Sequence, residues 1–83
     1  MRKLVIPVEV EPLEEGGYLA VCEPIQGCHA EGDTVAEALE NLEDVARTLL
    51  ELRVEDGLPT PDGLETYEPG KTIRAQLVVP AGD

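Results

Sequence analysis

Eighty-three residues carry eighteen acidic side chains against six basic ones, a formal net charge of -12. The bases Arg2, Lys3, Arg47, Arg53, Lys71 and Arg74 are scattered, which excludes a nucleic-acid surface, because phosphate binding needs clustered Lys and Arg. One domain over residues 1–83 is expected, and with no Phe, no Trp and only Tyr18 and Tyr67 aromatic, its interior must be Leu, Val, Ile and Ala, a composition that favours burial against a partner.

The first predicted element is a strand over residues 3–11, where Leu4, Ile6, Val8 and Val10 alternate with Val5, Pro7, Glu9 and Glu11. Pro7 has no N–H to give a ladder, so an edge position is expected there. Glu14-Glu15-Gly16-Gly17 reads as a hairpin turn, since paired glycines accept positive φ. Strand two covers residues 18–22. Pro24 and Gly27 break the chain before a short third strand over 28–31, which ends at Gly32.

Gly32-Asp33-Thr34 then turns the chain into its one long helix. Thr34 precedes the first apolar residue and Glu37 follows three later, the spacing of a capping box in which hydroxyl and carboxylate satisfy each other's free backbone N–H. Apolar side chains recur at Val35, Ala38, Leu39, Leu42, Val45, Ala46, Leu49 and Leu52, with acids on the other side, so the period is helical and one-faced. The helix is expected over 35–55, with Gly57 as its C-terminal glycine. Glu37, Glu40, Glu43, Asp44, Glu51, Glu55 and Asp56 outnumber Arg47 and Arg53 along it, making an acidic ridge.

Residues 58–70 hold Pro59, Pro61, Pro69, Gly63 and Gly70 and read as a crossover loop that sustains neither helix nor central strand. Alternation returns over 72–79, with Ile73, Ala75, Leu77 and Val79 on one face and Thr72, Arg74, Gln76 and Val78 on the other, before Pro80. A last strand is expected there, joining the same sheet. The expected architecture is therefore α+β, β-β-β-α-β, a single mixed four-stranded sheet with one long helix on one face. Its far face would carry Val5, Pro7, Leu19 or Tyr18, and Val78, and such a face is normally covered by another chain, so a homodimer or homotetramer is expected.

The pattern Tyr18-Leu19-Ala20, Gly27-Cys28, Gly32-Asp33-Thr34, Glu37-Ala38-Leu39, Asn41 and Glu55-Asp56-Gly57-Leu58-Pro59-Thr60-Pro61 resembles that of the HicB-like antitoxin family. The resemblance implies a partial ribonuclease H-like fold and an interaction protein that neutralises HicA, a small basic toxin that cleaves messenger RNA. Two departures stand out. Glu23-Pro24-Ile25-Gln26 replaces the Pro-Asp/Glu-Leu-Pro of many members, and these residues hold no counterpart of the DNA-binding segment into which many members continue, so operator binding is not expected. Glu40, Glu43 and Glu51 on the acidic ridge are the candidate toxin contacts. Gly27, Cys28, Gly32, Asp33, Thr34, Glu37 and Asn41 are expected to serve the structure, Asp33 capping the first turn and Asn41 reaching a loop carbonyl. Alternatives to the antitoxin reading are an orphan homo-oligomeric module without a toxin, and a degenerate nuclease.

Chemistry-bearing groups are few. Cys22, Cys28 and His29 are the only soft metal ligands, short of the four that structural zinc takes, and Cys28 and His29 point to opposite faces of a strand. No metal site or cofactor is expected, and the two cysteines are expected reduced and buried. Glu9 and Glu11 share a strand face but lack an evident third carboxylate for nuclease metal binding. With no serine in the chain and His29 adjacent to Cys28, no nucleophile arrangement stands out either, and an enzyme is not expected. No apolar run reaches bilayer length and no signal peptide follows Met1, so the expected location is the cytoplasm.

Overall fold

Leu13 and Gly17 close the first hairpin through a 3.0 Å bond from the Leu13 N–H to the Gly17 carbonyl, with Gly16 and Gly17 both at positive φ inside it. The structure is a computed structural model that describes residues 2–82. Its elements in chain order are β1 (Leu4–Val5), β2 (Glu9–Pro12), β3 (Tyr18–Val21), β4 (His29–Gly32), α1 (Val35–Glu55) and β5 (Glu65–Thr66).

The α+β class is as expected, but the strands are divided differently. Instead of one mixed four-stranded sheet there are two antiparallel ones, a meander in the order β2-β3-β4 and a two-stranded ribbon β1-β5. The strand expected over 3–11 breaks at residues 6–8, around Pro7, because a residue without an N–H cannot carry a ladder across its position. The third strand is shifted by one residue, to His29–Gly32.

The last expected strand does not form: residues 72–79 pair with nothing among the described residues and are exposed throughout. Alternation supplies two faces, but a ladder also needs a free edge in reach. The fifth strand lies instead inside the segment expected to be loop. Between Gly63 and Pro69 there are five residues without Pro or Gly. Glu65 and Thr66 pair with Val5 and Leu4, and the Tyr67 N–H adds a 2.7 Å bond to the Lys3 carbonyl.

Register sorts the meander's side chains into two faces. Val10, Ala20 and Ala30 stand opposite one another, as do Glu9, Val21 and His29, and Glu11, Leu19 and Glu31. Since successive strand residues alternate, Val10, Tyr18, Ala20, Cys22, Cys28 and Ala30 face α1. Glu9, Glu11, Leu19, Val21, His29 and Glu31 share the open face. That corrects the far face expected from sequence: Leu19 lies on it and Tyr18 does not, Val5 belongs to the other ribbon, and Val78 lies in the unpaired segment.

Helix α1 crosses β4 and β3 and buries Ala38, Leu42 and Ala46 against Ala20, Cys22, Ile25 and Cys28. Among the described residues the buried core is those seven, three of them alanine and two cysteine. Small side chains let helix and sheet approach closely, at the cost of little apolar area. Ile25 plugs the core from the loop that departs from the family pattern, held by a 3.3 Å bond from its N–H to the Cys22 carbonyl and a 3.1 Å bond from the Cys28 N–H to its own carbonyl.

Candidate interaction surface

The seven motif residues converge on the junction between β4 and α1 and the hairpin loop that leads to it. Gly27 turns the β3–β4 loop at φ 77°. Cys28 follows it into the core and faces Cys22, whose N–H donates to the Cys28 carbonyl at 2.9 Å. Gly32 ends β4 where a side chain has no room, since a Cβ there would lie 2.3 Å from the Ala38 backbone nitrogen. Thr34 is the N-cap, in extended geometry at φ -127° and ψ 163°, and its Oγ1 accepts the Glu37 N–H at 3.1 Å.

Glu37 contributes its backbone to this cap, and no return bond from its carboxylate forms among the described residues. Half of the expected capping box is therefore present. Asp33 is exposed and makes no side-chain hydrogen bond among the described residues, so the cap belongs to Thr34 alone. Asn41 reaches back one turn further along and donates from Nδ2 to the Glu31 carbonyl at 2.8 Å. Its acceptor is a carbonyl of β4 rather than of a loop.

The two thiols are shielded from solvent. Burial pushes both above the ordinary thiol value of 9.0, for Cys22 against the lowering effect of hydrogen bonds from the Ile25 backbone and from Cys28, for Cys28 together with the raising influence of Cys22. A reactive cysteine has the reverse environment, exposed and electropositive.

At its far end α1 stops in a Schellman motif. The Leu58 N–H donates to the Arg53 carbonyl at 2.8 Å and the Gly57 N–H to the Val54 carbonyl at 3.1 Å, with Gly57 at φ 72°. Arg53 then folds the following loop onto the helix end, its Nε and Nη2 donating to the Pro59 carbonyl at 3.0 and 2.7 Å. Arg2 donates to the Thr60 hydroxyl. The run from Glu55 to Pro61 thus reverses the chain after the helix.

Two acidic surfaces remain once these structural roles are assigned. Glu40, Glu43 and Glu51 are all exposed on α1, but the ridge is not uninterrupted: Arg47 grips Glu43 at 2.9 Å and Asp44 at 3.1 Å. The i,i+4 and i,i+3 spacings give that clamp away in the sequence. Its worth is small because all three groups are solvated, but it leaves Glu40 and Glu51 as the unpaired carboxylates of the three.

The second surface is the open sheet face, where Leu19 and Val21 are flanked by Glu9, Glu11, Glu31 and His29. Glu31 is the third carboxylate that strand spacing alone did not reveal, because it enters only through cross-strand register. It lies two strands from Glu11, about 10 Å across the sheet, too far for one ion to be shared. No group of three or more His, Cys, Asp or Glu side chains among the described residues is placed to hold a metal.

A thin two-layer α+β scaffold, whose motif residues serve a helix–strand junction and whose charge lies on open surfaces, has the makings of an interaction domain. No protein-family model matches the chain. It is 43% identical to a UPF0150 protein of Synechocystis sp. over an alignment covering 60% of this chain and 74% of that one. It is 31% identical to antitoxin HicB 1 of Photorhabdus laumondii, covering 95% of this chain and 54% of the relative, and 34% identical to antitoxin HicB of Escherichia coli K12, covering 75% and 46%. The chain belongs to the HicB-like antitoxin family. It spans about half the length of these two HicB antitoxins, and no helix among the described residues is long and apolar enough to cross a membrane.

Proposed function

We propose that the chain is an antitoxin that binds a small basic HicA-type mRNA-cleaving toxin and blocks its access to RNA, acting in the cytoplasm by occlusion and without catalysis. The observation that carries this reading is the match to a HicB antitoxin over 95% of the chain. The charge of -12 supports it, since a protein that cleaves messenger RNA must present a basic surface and is drawn to an acidic one. The partial ribonuclease H-like scaffold of the family is part of the same proposal. Glu40 and Glu51, unpaired on the ridge, are the contacts we favour, with Glu43 behind them because Arg47 already holds it.

Co-expression with the neighbouring basic reading frame tests the proposal. That product should arrest growth alone, and this chain should relieve the arrest and co-purify with it. A product that is harmless alone, or toxic and unbound beside this chain, overturns the reading. A second reading, a homo-oligomeric module without a toxin, is favoured by one observation: the relative covered to 74% is named only as a UPF0150 protein.

A further inference from the structure

Residues 71–82 form the most unusual stretch of the surface. Leu77 is 86% exposed, Val78 75%, Val79 69% and Ile73 52%, a concentration of bare aliphatic side chains. The stretch contains Lys71 and Arg74 and no acid, in a chain whose net charge is -12. Lys71 is held by Glu68 at 2.9 Å, whereas Arg74 has no ion-pair partner among the described residues. The residues have a strand's alternation, and no strand among the described residues pairs with them.

The meander has two edges, and they differ. The Leu13–Gly17 and Cys22–Cys28 bonds set the phase of the ladders. Pairing alternates along an antiparallel strand, so His29 and Glu31 point their backbone groups outward from β4, and Val10 points its own outward from β2. On the β4 edge, Asn41 already occupies the Glu31 carbonyl. On the β2 edge nothing among the described residues pairs with the outward groups, and the side chains beside them are Val10 toward the helix layer and Glu9 and Glu11 toward the open face.

We propose that residues 72–79 of one copy add as a strand to the β2 edge of a second copy, and reciprocally, so that the chain is a two-fold strand-exchanged dimer. Both faces of the segment then match at once. Ile73, Ala75, Leu77 and Val79 continue the apolar layer begun by Val10, while Arg74 lies on the face that carries Glu9 and Glu11. Main-chain bonds supply the affinity of such an addition, and alternate side chains set its register. Donor and acceptor are both present in each chain, which is what a closed isologous pair requires. By contrast, stacking two open faces would oppose Glu9, Glu11 and Glu31 to themselves, a like-charge contact that costs binding.

Sedimentation velocity on the full chain at micromolar concentration tests the dimer, with three variants. In antiparallel addition the residues on Val10's face exchange both main-chain bonds with the β2 edge, so Ala75→Pro removes an N–H from the middle of that ladder and should leave a monomer. Arg74→Glu should weaken the dimer about tenfold or more by setting like charges side by side. Adding Glu9→Lys and Glu11→Lys to Arg74→Glu in the same chain should recover most of that loss. Helical circular dichroism should match the wild type in every case, because the substituted side chains are exposed. A monomeric wild type overturns the proposal, since the segment would then be free or docked on its own chain. So does an Ala75→Pro or Arg74→Glu variant that dimerises like the wild type, a triple variant no tighter than Arg74→Glu, or a loss of helicity in Ala75→Pro.

Discussion

Thr34 holds the first turn of α1 through one hydroxyl, and Asp33 beside it does not share the work. Replacing Thr34 with alanine should cost about 1 kcal/mol, which in a domain of this size lowers the melting temperature by about 4–8 °C; Asp33→Ala should leave the melting curve nearly unmoved. Gly32 is the stricter position. A methyl there meets the Ala38 nitrogen and the Glu37 backbone rather than a flexible side chain, so Gly32→Ala must push helix from strand, and a loss of about 3 kcal/mol in urea unfolding is expected. Cys22 and Cys28 act through pH. Their folded values are raised above 9.0, so the folded state binds more protons than the unfolded chain once the pH passes that value. The stability they contribute is complete below pH 9 and is lost as the pH climbs through the folded values. Urea midpoints should fall between pH 8 and pH 10, and the fall should be shallower in a Cys22→Ala, Cys28→Ala variant that still folds at pH 7.

At the scale of elements, what could be read from sequence was what is decided locally. The bounds of α1, its Thr34 cap and its Gly57 stop all depend on residues within a turn of one another, and the chain states them in order. The hairpin at Gly16 and Gly17 is local too. The ribbon β1-β5 is not, because nothing near Glu65 and Thr66 announces that Leu4 and Val5 lie across from them. For the same reason alternation over 72–79 predicts a strand of this sheet, although no strand among the described residues pairs with it. The open face shows the limit in the candidate surface: Glu9 and Glu11 were legible as neighbours, while Glu31 joins them through two registers. Asn41 is intermediate, a residue whose type suggested a carbonyl acceptor but whose partner only the packing of α1 on β4 identifies. Asn41→Ala should cost about 0.5–1.5 kcal/mol, toward the low end because the group is exposed, and Asn41→Asp should not restore it, since a carboxylate cannot donate to a carbonyl.

For the whole molecule, charge matters more to how partners meet than to how the chain folds. If a basic toxin is the partner, reversing Glu40, Glu43 and Glu51 to lysine should slow association about tenfold at low salt and flatten its dependence on ionic strength, with the dissociation rate changing less. Stopped-flow mixing reads this directly, and an unchanged association rate would move the contact away from α1. A Glu43→Gln control separates the loss of the Arg47 clamp from the loss of attraction.

The molecule measures 49 × 32 × 17 Å, so along its short axis it is one helix and one sheet deep. Depth also governs how long a backbone amide waits to trade its proton for deuterium, because local openings near a surface cost little. In a body this thin few amides are far from water, and protection must come from bonding on both sides. Among the three strands of the meander, only β3 is flanked by two neighbours. Its amides from Tyr18 to Val21 should be the last to exchange, followed by the α1 turns around Leu42 and Ala46. The β1-β5 ribbon should be fully deuterated long before either, giving this small chain two clocks.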